Sequence, residues 1–190
     1  MTVLESPRRE ELLERAYRYA LQHGVADMSL RPLATAVGSS PRVLLFLFGS
    51  KAGLIQALLG RARRDERALL DRARAARAGD RDLVAVVADL WGWLAAEEHR
   101  GLLNLWVEGY ARSLLDADGP WAGFARATVA DWLDLLGELT PDVAERTLVL
   151  AVLRGALLDL LATGEIERVG AAVERQLELL RPAPVPAPAG

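Results

Sequence analysis

Few side chains in this 190-residue chain could do covalent chemistry. There is no cysteine, hence no thiolate nucleophile, no disulfide framework and no thiolate metal site. The two histidines, His23 and His99, lie far apart and in no ligand spacing. No nucleophile stands beside a base, no glycine loop is built to cradle phosphate, and no cluster has metal-ligand spacing. An enzyme is therefore not expected, nor a cofactor. What remains is the chemistry of non-covalent recognition. Five tryptophans, at 91, 93, 106, 121 and 132, follow the first ninety residues. With Tyr110 and Phe124 they can line a space between helices, as an apolar pocket for a small molecule, or simply fill a core. Arg154 stands amid Leu150, Leu157, Leu158 and Leu161, where a guanidinium needs a partner or a ligand anion. Glu108 or Asp89 would serve as a structural pair. Trp91, Trp106, Glu108, Tyr110, Trp132 and Arg154 are thus the candidate ligand-pocket residues.

The stretch around which the chain is organised is Ser29 to Leu54, SLRPLATAVGSSPRVLLFLFGSKAGL. Ser29 can cap a helix through its hydroxyl, and Pro32 falls in the first turn, where a missing N–H costs little. Leu33, Ala34 and Val37 give that helix one apolar face, and Gly38 can take the left-handed conformation that ends it. Ser39 or Ser40 caps a second helix with Pro41 as its first residue. Leu44 and Phe48, four apart, pin the second helix to the first. Gly49 ends it, and Ser50 caps a third helix from Lys51. Two helices around a glycine-containing turn form a helix-turn-helix, whose second helix enters the DNA major groove, or else a plain helical corner.

The same residues resemble the TetR family of transcription regulators. Ser29, Leu33-Ala34, Gly38, Ser40, Leu44, Phe48, Ser50-Lys51 and Leu54 fall at the family's positions. Leu45 and Leu47 replace its usual Tyr and His. The resemblance implies an all-α protein of about nine helices, three in a DNA-binding head and six in a helical-bundle body that binds an inducer. Carried over by position, the residues that touch DNA are Ser40, Pro41, Arg42, Val43, Leu45, Phe46 and Lys51. Arg42 can make two hydrogen bonds to a guanine edge, and Pro41, Val43 and Phe46 offer apolar contact, for instance to thymine methyls. Lys51, the only lysine in the chain, would hold a phosphate. The two leucines withhold hydrogen bonds worth about 1.5–3 kcal/mol each at charged phosphate, so weakened DNA binding is expected. The alternative is a degenerate head acting through protein or small-molecule binding, its Leu45-Phe46-Leu47 run forming an apolar patch.

Charge distribution fits a DNA-contacting head. Residues 1–64 hold ten basic and five acidic residues, so +5 sits there and −8 on the remainder of a chain whose total is −3. Helical spacing of Leu12, Leu13, Ala16, Tyr17, Ala20 and Leu21 predicts a first helix over 8–23, with Tyr17 in the core. A long helix runs from Ser50 to about Arg77. Its arginines 61, 63 and 64 are expected to pair on the surface with Asp65, Glu66 and Asp71 or to reach phosphate. Gly79-Asp80 marks a boundary. Further helices are expected over 83–96, 99–115, 121–139, 143–163 and 166–180, with Asn104, Glu108 and Arg112 forming a solvated stripe.

Residues 143–163 carry more leucine and valine than one bundle can hide, and such a surface marks an interface. A two-fold dimer is the commonest solution. The resemblance places it in the last two helices, 143–180. The expected organisation is a head over 1–54, a regulatory and dimerisation body over 55–181, and an extended tail over 182–190. No apolar run reaches membrane-spanning length uninterrupted by charge, and the N-terminus lacks a signal-peptide core, so a cytoplasmic protein is expected. The expected partners are double-stranded DNA, a second copy of the chain and a small apolar or amphipathic effector. The expected activity is ligand-responsive regulation of transcription, repression above all, at a palindromic operator.

Overall fold

Proline, glycine and short polar caps set many of the helix ends. In a computed structural model of the chain, residues 7–25, 28–77 and 82–181 are described. Among them run nine α-helices and no strand: α1 Pro7–His23, α2 Leu30–Ala36, α3 Pro41–Phe48, α4 Lys51–Arg77, α5 Leu83–Ala95, α6 Arg100–Leu115, α7 Phe124–Leu139, α8 Val143–Thr163 and α9 Ile166–Leu180. The fold class is all-α, as the periodicity predicts. The Gly79-Asp80 boundary and the tail over 182–190 lie outside the described residues. No single described helix is long and apolar enough to cross a membrane.

Local chemistry explains the ends. Ser40 caps α3, its Oγ accepting from the Val43 N–H at 3.3 Å, with Pro41 following as the first helical residue. Ser50 caps α4 in the same way, accepting from the Gly53 N–H at 2.9 Å. Asp142 caps α8 by accepting from Ala144 and Glu145. Ser29 departs from expectation. It precedes α2 in extended conformation, but its hydroxyl makes no cap bond, and only its carbonyl accepts from the Leu33 N–H. α7 starts at Phe124 rather than 121, because residues 120–123 stay in turns.

The chain forms two compact units, Met1–Leu70 with Glu98–Trp132 and Asp71–Glu97 with Leu133–Gly190. The first gathers α1, α2, α3, α6 and the leading parts of α4 and α7. Its core includes Leu12, Leu13, Ala16, Tyr17, Leu33, Leu44, Leu54, Leu58, Leu105 and Phe124. α6 crosses close over α1 because residue 101 is glycine: a Cβ there would stand 2.6 Å from the Leu21 carbonyl oxygen. The compact division therefore groups α6 with α1, α2 and α3, and it does not fall at the expected 54/55 boundary.

In the second unit α5, α8 and α9 pack on one another. Val86, Val87, Leu90, Trp91 and Leu94 meet Val149, Leu150, Leu153, Leu157, Val169, Val173 and Leu177 in its buried set. The α8 helix is apolar on all sides but buries only one, leaving Leu148 and Leu158 about half exposed. An Arg168–Asp159 pair joins α9 to α8 through two hydrogen bonds of 2.8 and 2.6 Å. Both side chains are solvated, so the pair adds little to stability.

Two glycines of α4 make a test of the α3–α4 junction. A Cβ on Gly53 would stand 2.2 Å from the Phe48 carbonyl oxygen, whereas one on Gly60 would meet nothing within 4 Å. Gly53→Ala is expected to destabilise by about 1–3 kcal/mol through forced backbone movement. Gly60→Ala is expected to stabilise by about 0.5–1 kcal/mol through helix propensity. Thermal melts of the two variants check both signs.

Candidate nucleic-acid interface and ligand site

The α3 helix is eight residues long and divides sharply. Leu44 and Phe48 face inward at 1 % and 8 % exposure, and the Arg9 guanidinium lies 4.9 Å over the Phe48 ring. The opposite side presents Arg42, Val43, Leu45 and Phe46 to solvent, Phe46 at 72 % exposure. Ser40 and Lys51 are exposed at either end, and Pro41 and Leu47 are half-buried. Of the seven residues expected to touch DNA, six are thus exposed and Pro41 is half-buried.

The cations of this unit fall into two groups. Arg8 and Arg15 pair with Glu11, Arg61 with Glu14 and Asp65, Arg63 with Asp131, and Arg64 with Glu10. Arg15 also donates to the Val37 carbonyl at 3.2 Å, tying α1 to the end of α2. Arg31, Arg42 and Lys51 are exposed, and no hydrogen bond or ion pair engages their side chains among the described residues. Arginines 61, 63 and 64 are thereby committed to internal pairing, whereas the helix-turn-helix keeps three uncommitted cations; Arg18, Arg112 and Arg126 are exposed and uncommitted elsewhere in the unit.

The α1–α4 contact is polar as well as apolar. The buried Tyr17 hydroxyl donates to Asp65 Oδ2 at 2.8 Å, and Arg61 stacks over its ring at 4.7 Å. Burial, then the Asp65 bond, pushes the Tyr17 phenol far above its ordinary range. Glu108 of α6 reaches the corner after α1, accepting from the Val25 N–H at 2.9 Å beside left-handed Gly24. The expected surface stripe of Asn104, Glu108 and Arg112 is therefore broken. Asn104 and Arg112 are solvated, whereas Glu108 completes a turn whose amide would otherwise lack an acceptor.

Three helices of the same unit converge on Glu66. It is 6 % exposed, and its Oε1 accepts from Trp106 Nε1 at 3.1 Å and Trp132 Nε1 at 2.7 Å. Tyr110 stacks on Trp106 with ring centroids 5.1 Å apart. Burial, the largest effect, lifts the Glu66 carboxyl above its ordinary range; the Trp132 and Trp106 donors oppose this, Asp131 adds to it and Arg63 opposes it. Expected as a surface ion-pair residue, Glu66 is in fact the buried polar centre of an aromatic group. Close by in sequence, Gln56, Leu59 and Arg63 line a cleft of about 240 Å³ with residues 120–124. The six candidate pocket residues divide between the units: Trp106, Glu108, Tyr110 and Trp132 in the first, Trp91 and Arg154 in the second. Trp91 is buried beside Gly170, and Arg154 is half-buried on α8.

No protein-family model matches the chain, and no curated protein is significantly similar to it. Solved structures do match over nearly its whole length. The multidrug binding protein EbrR complexed with imidazole aligns with a TM-score of 0.71 and 25% identity, covering 96% of this chain and 94% of that one. A putative TetR-family regulator from Rhodococcus sp. aligns at 0.63 and 18% identity, covering 91% and 97%. The Thermus thermophilus FadR, a TetR-family repressor in complex with lauroyl-CoA, aligns at 0.58 and 19%, covering 96% and 100%. The fold is that of the TetR-family transcriptional regulators.

Within this TetR fold, what sequence reasoning missed was Glu66. Its charge and its arginine-rich neighbourhood disguised it as a surface residue. The available signal was register: Glu66 lies four residues after buried Ala62 and three or four before buried Leu69 and Leu70. That places it on the inward stripe of α4.

The raised Glu66 pKa carries a stability consequence. Between the unfolded carboxyl value, about 4.3, and the higher folded value, the folded TetR-type unit holds more protons than the unfolded chain. Stability therefore falls as pH rises through that window. Glu66→Gln removes this titration, so its melting temperature relative to wild type is expected to climb from pH 4 towards pH 7. Paired thermal melts across that range check it, and a pH-independent difference would contradict it.

Proposed function

We propose that the chain is a ligand-responsive transcriptional regulator that binds a palindromic DNA operator as a homodimer and represses from it. One observation carries this reading: the outward side of α3 joins an uncommitted Arg42 to exposed Val43, Leu45 and Phe46, with Lys51 free at the start of α4. A guanidinium fork and apolar side chains are what a guanine edge and thymine methyls require. Lys51 and Arg31 would hold phosphates, which makes the affinity salt-dependent. Leu45 and Leu47 cannot donate to phosphate, so affinity is expected to be lower than in a relative with hydrogen-bonding side chains there.

Dimerisation is assigned to residues 143–180. On α8 the exposed residues Leu148, Ala151, Gly155, Leu158 and Ala162 recur at spacings of three and four, forming one stripe, and Leu179 is exposed on α9. Small residues among leucines let a second helix approach closely, and two copies would close this surface around a two-fold axis. Two heads on such an axis can meet successive major grooves about 34 Å apart. We place the effector in the body, with Trp106, Tyr110 and Trp132 among its contacts. Support comes from the complexes of similar proteins, EbrR with malachite green and FadR with lauroyl-CoA.

Selection from random duplexes, followed by gel shift, tests the head. Arg42→Ala is expected to erase preference for a guanine in the selected half-site, at about 1–3 kcal/mol, while leaving the fold intact. An unchanged preference, or no selected sequence at all, would instead favour the apolar-patch reading of α3. For the body, Leu158→Arg is expected to shift the protein from dimer to monomer in analytical ultracentrifugation and to weaken operator binding at least tenfold.

A further inference from the structure

The α3 helix carries two phenylalanines in opposite surroundings. Phe48 is buried, with the Arg9 guanidinium over its ring. Phe46 stands in solvent, and no ring or cation contact engages it among the described residues. It lies four residues after Arg42, hence one turn on and on the same side of the helix. Val43 and Leu45, both exposed, flank the pair. An exposed apolar cluster marks a binding surface. The uncommitted Arg31, Arg42 and Lys51 around it select a polyanion as the occupant. In the major groove thymine alone offers an apolar group, its C5-methyl; the other base edges present hydrogen-bond donors and acceptors. A phenyl ring has neither, so that methyl is the feature it can read. Four helical residues rise about 6 Å, which spans about two base steps of about 3.4 Å.

We propose that Phe46 is a specificity-determining residue that packs on the C5-methyl of a pyrimidine within about two base pairs of the guanine bound by Arg42. This rests on the reading of α3 as a groove-entering helix and names what that helix selects besides guanine. A further property follows from the ring's lack of polar atoms. It cannot distinguish the O4 of thymine from the N4 amine of 5-methylcytosine, which carries its methyl on the same ring carbon. Neither Val43 nor Leu45 can make that distinction either. The head therefore accepts thymine or 5-methylcytosine at that place and rejects uracil and cytosine. Its binding to a site with cytosine there depends on methylation of the DNA.

Full-length protein is first used to select half-sites from random duplexes. Each thymine within about two pairs of the selected guanine is then replaced by uracil, cytosine or 5-methylcytosine, the last two opposite guanine. Affinities are measured by fluorescence anisotropy at one fixed salt concentration. Uracil and cytosine are expected to weaken binding about fourfold for each methyl lost, about fifteenfold over two half-sites. 5-Methylcytosine is expected to bind as thymine does. Phe46→Ala, verified as folded by its melting temperature, is expected to bind all four duplexes equally while keeping its preference for guanine. Arg42→Ala is expected to do the reverse. A selected site with no thymine in that window, an affinity indifferent to uracil, 5-methylcytosine bound no better than cytosine, or discrimination that survives in Phe46→Ala overturns the inference while leaving operator binding in place. Selection of no sequence at all overturns both readings and favours an apolar protein partner for the ring.

Discussion

Everything outward about the head depends on how α3 is pinned inward. Leu44 and Phe48, one helical turn apart, are buried in the core that α1, α2 and α4 share. On a helix of eight residues, two buried positions four apart fix the rotation about its axis, and the remaining side chains have no choice of face. The junction that follows is equally constrained. Gly49 is left-handed at φ +76°, and Gly53 brings the first turn of α4 against the Phe48 carbonyl at a distance no side chain tolerates. The angle between α3 and α4 is thus set by close packing of backbone on backbone.

Charge is apportioned by the same packing. Ten basic residues occupy the first sixty-four, but α1 and α4 run close enough for Glu10, Glu11, Glu14 and Asp65 to neutralise several of them. Asp131 of α7 takes Arg63. Surface pairs of this kind contribute little stability. Their effect here is on the field: pairing takes Arg8, Arg15, Arg61, Arg63 and Arg64 out of the free positive charge, whereas Arg31, Arg42 and Lys51 on the helix-turn-helix keep theirs.

The centre of the first unit solves a different problem. Trp106 and Trp132 bring large apolar surfaces with one polar N–H each, and a buried indole N–H needs an acceptor. Glu66 supplies one oxygen to both, tying α4, α6 and α7 together at a single atom. A carboxylate buried this far resists ionisation, which pushes its pKa upward. The unit accepts a strained electrostatic arrangement where a leucine would have given a plain core.

Much of this was legible in the sequence. Short-range rules govern capping, proline at the first helical position and left-handed glycine, so the helices, their order and the outward residues of α3 could be read without coordinates. So could α8, whose termini at Asp142 and Gly164 are local events, and α9, which starts two residues after that glycine. Ser29 was misjudged because a cap depends on a hydroxyl rotamer that spacing does not encode. Glu66 and Glu108 were misjudged for a shared reason. Their partners, two indoles and the Val25 amide, lie forty or more residues away, and only tertiary packing decides which distant donor reaches a carboxylate. Helical periodicity and the placement of charge along the chain determined a helical protein with a basic N-terminal stretch; the burial of a single charge among aromatic rings was left to the fold, because desolvation is a property of all neighbours at once.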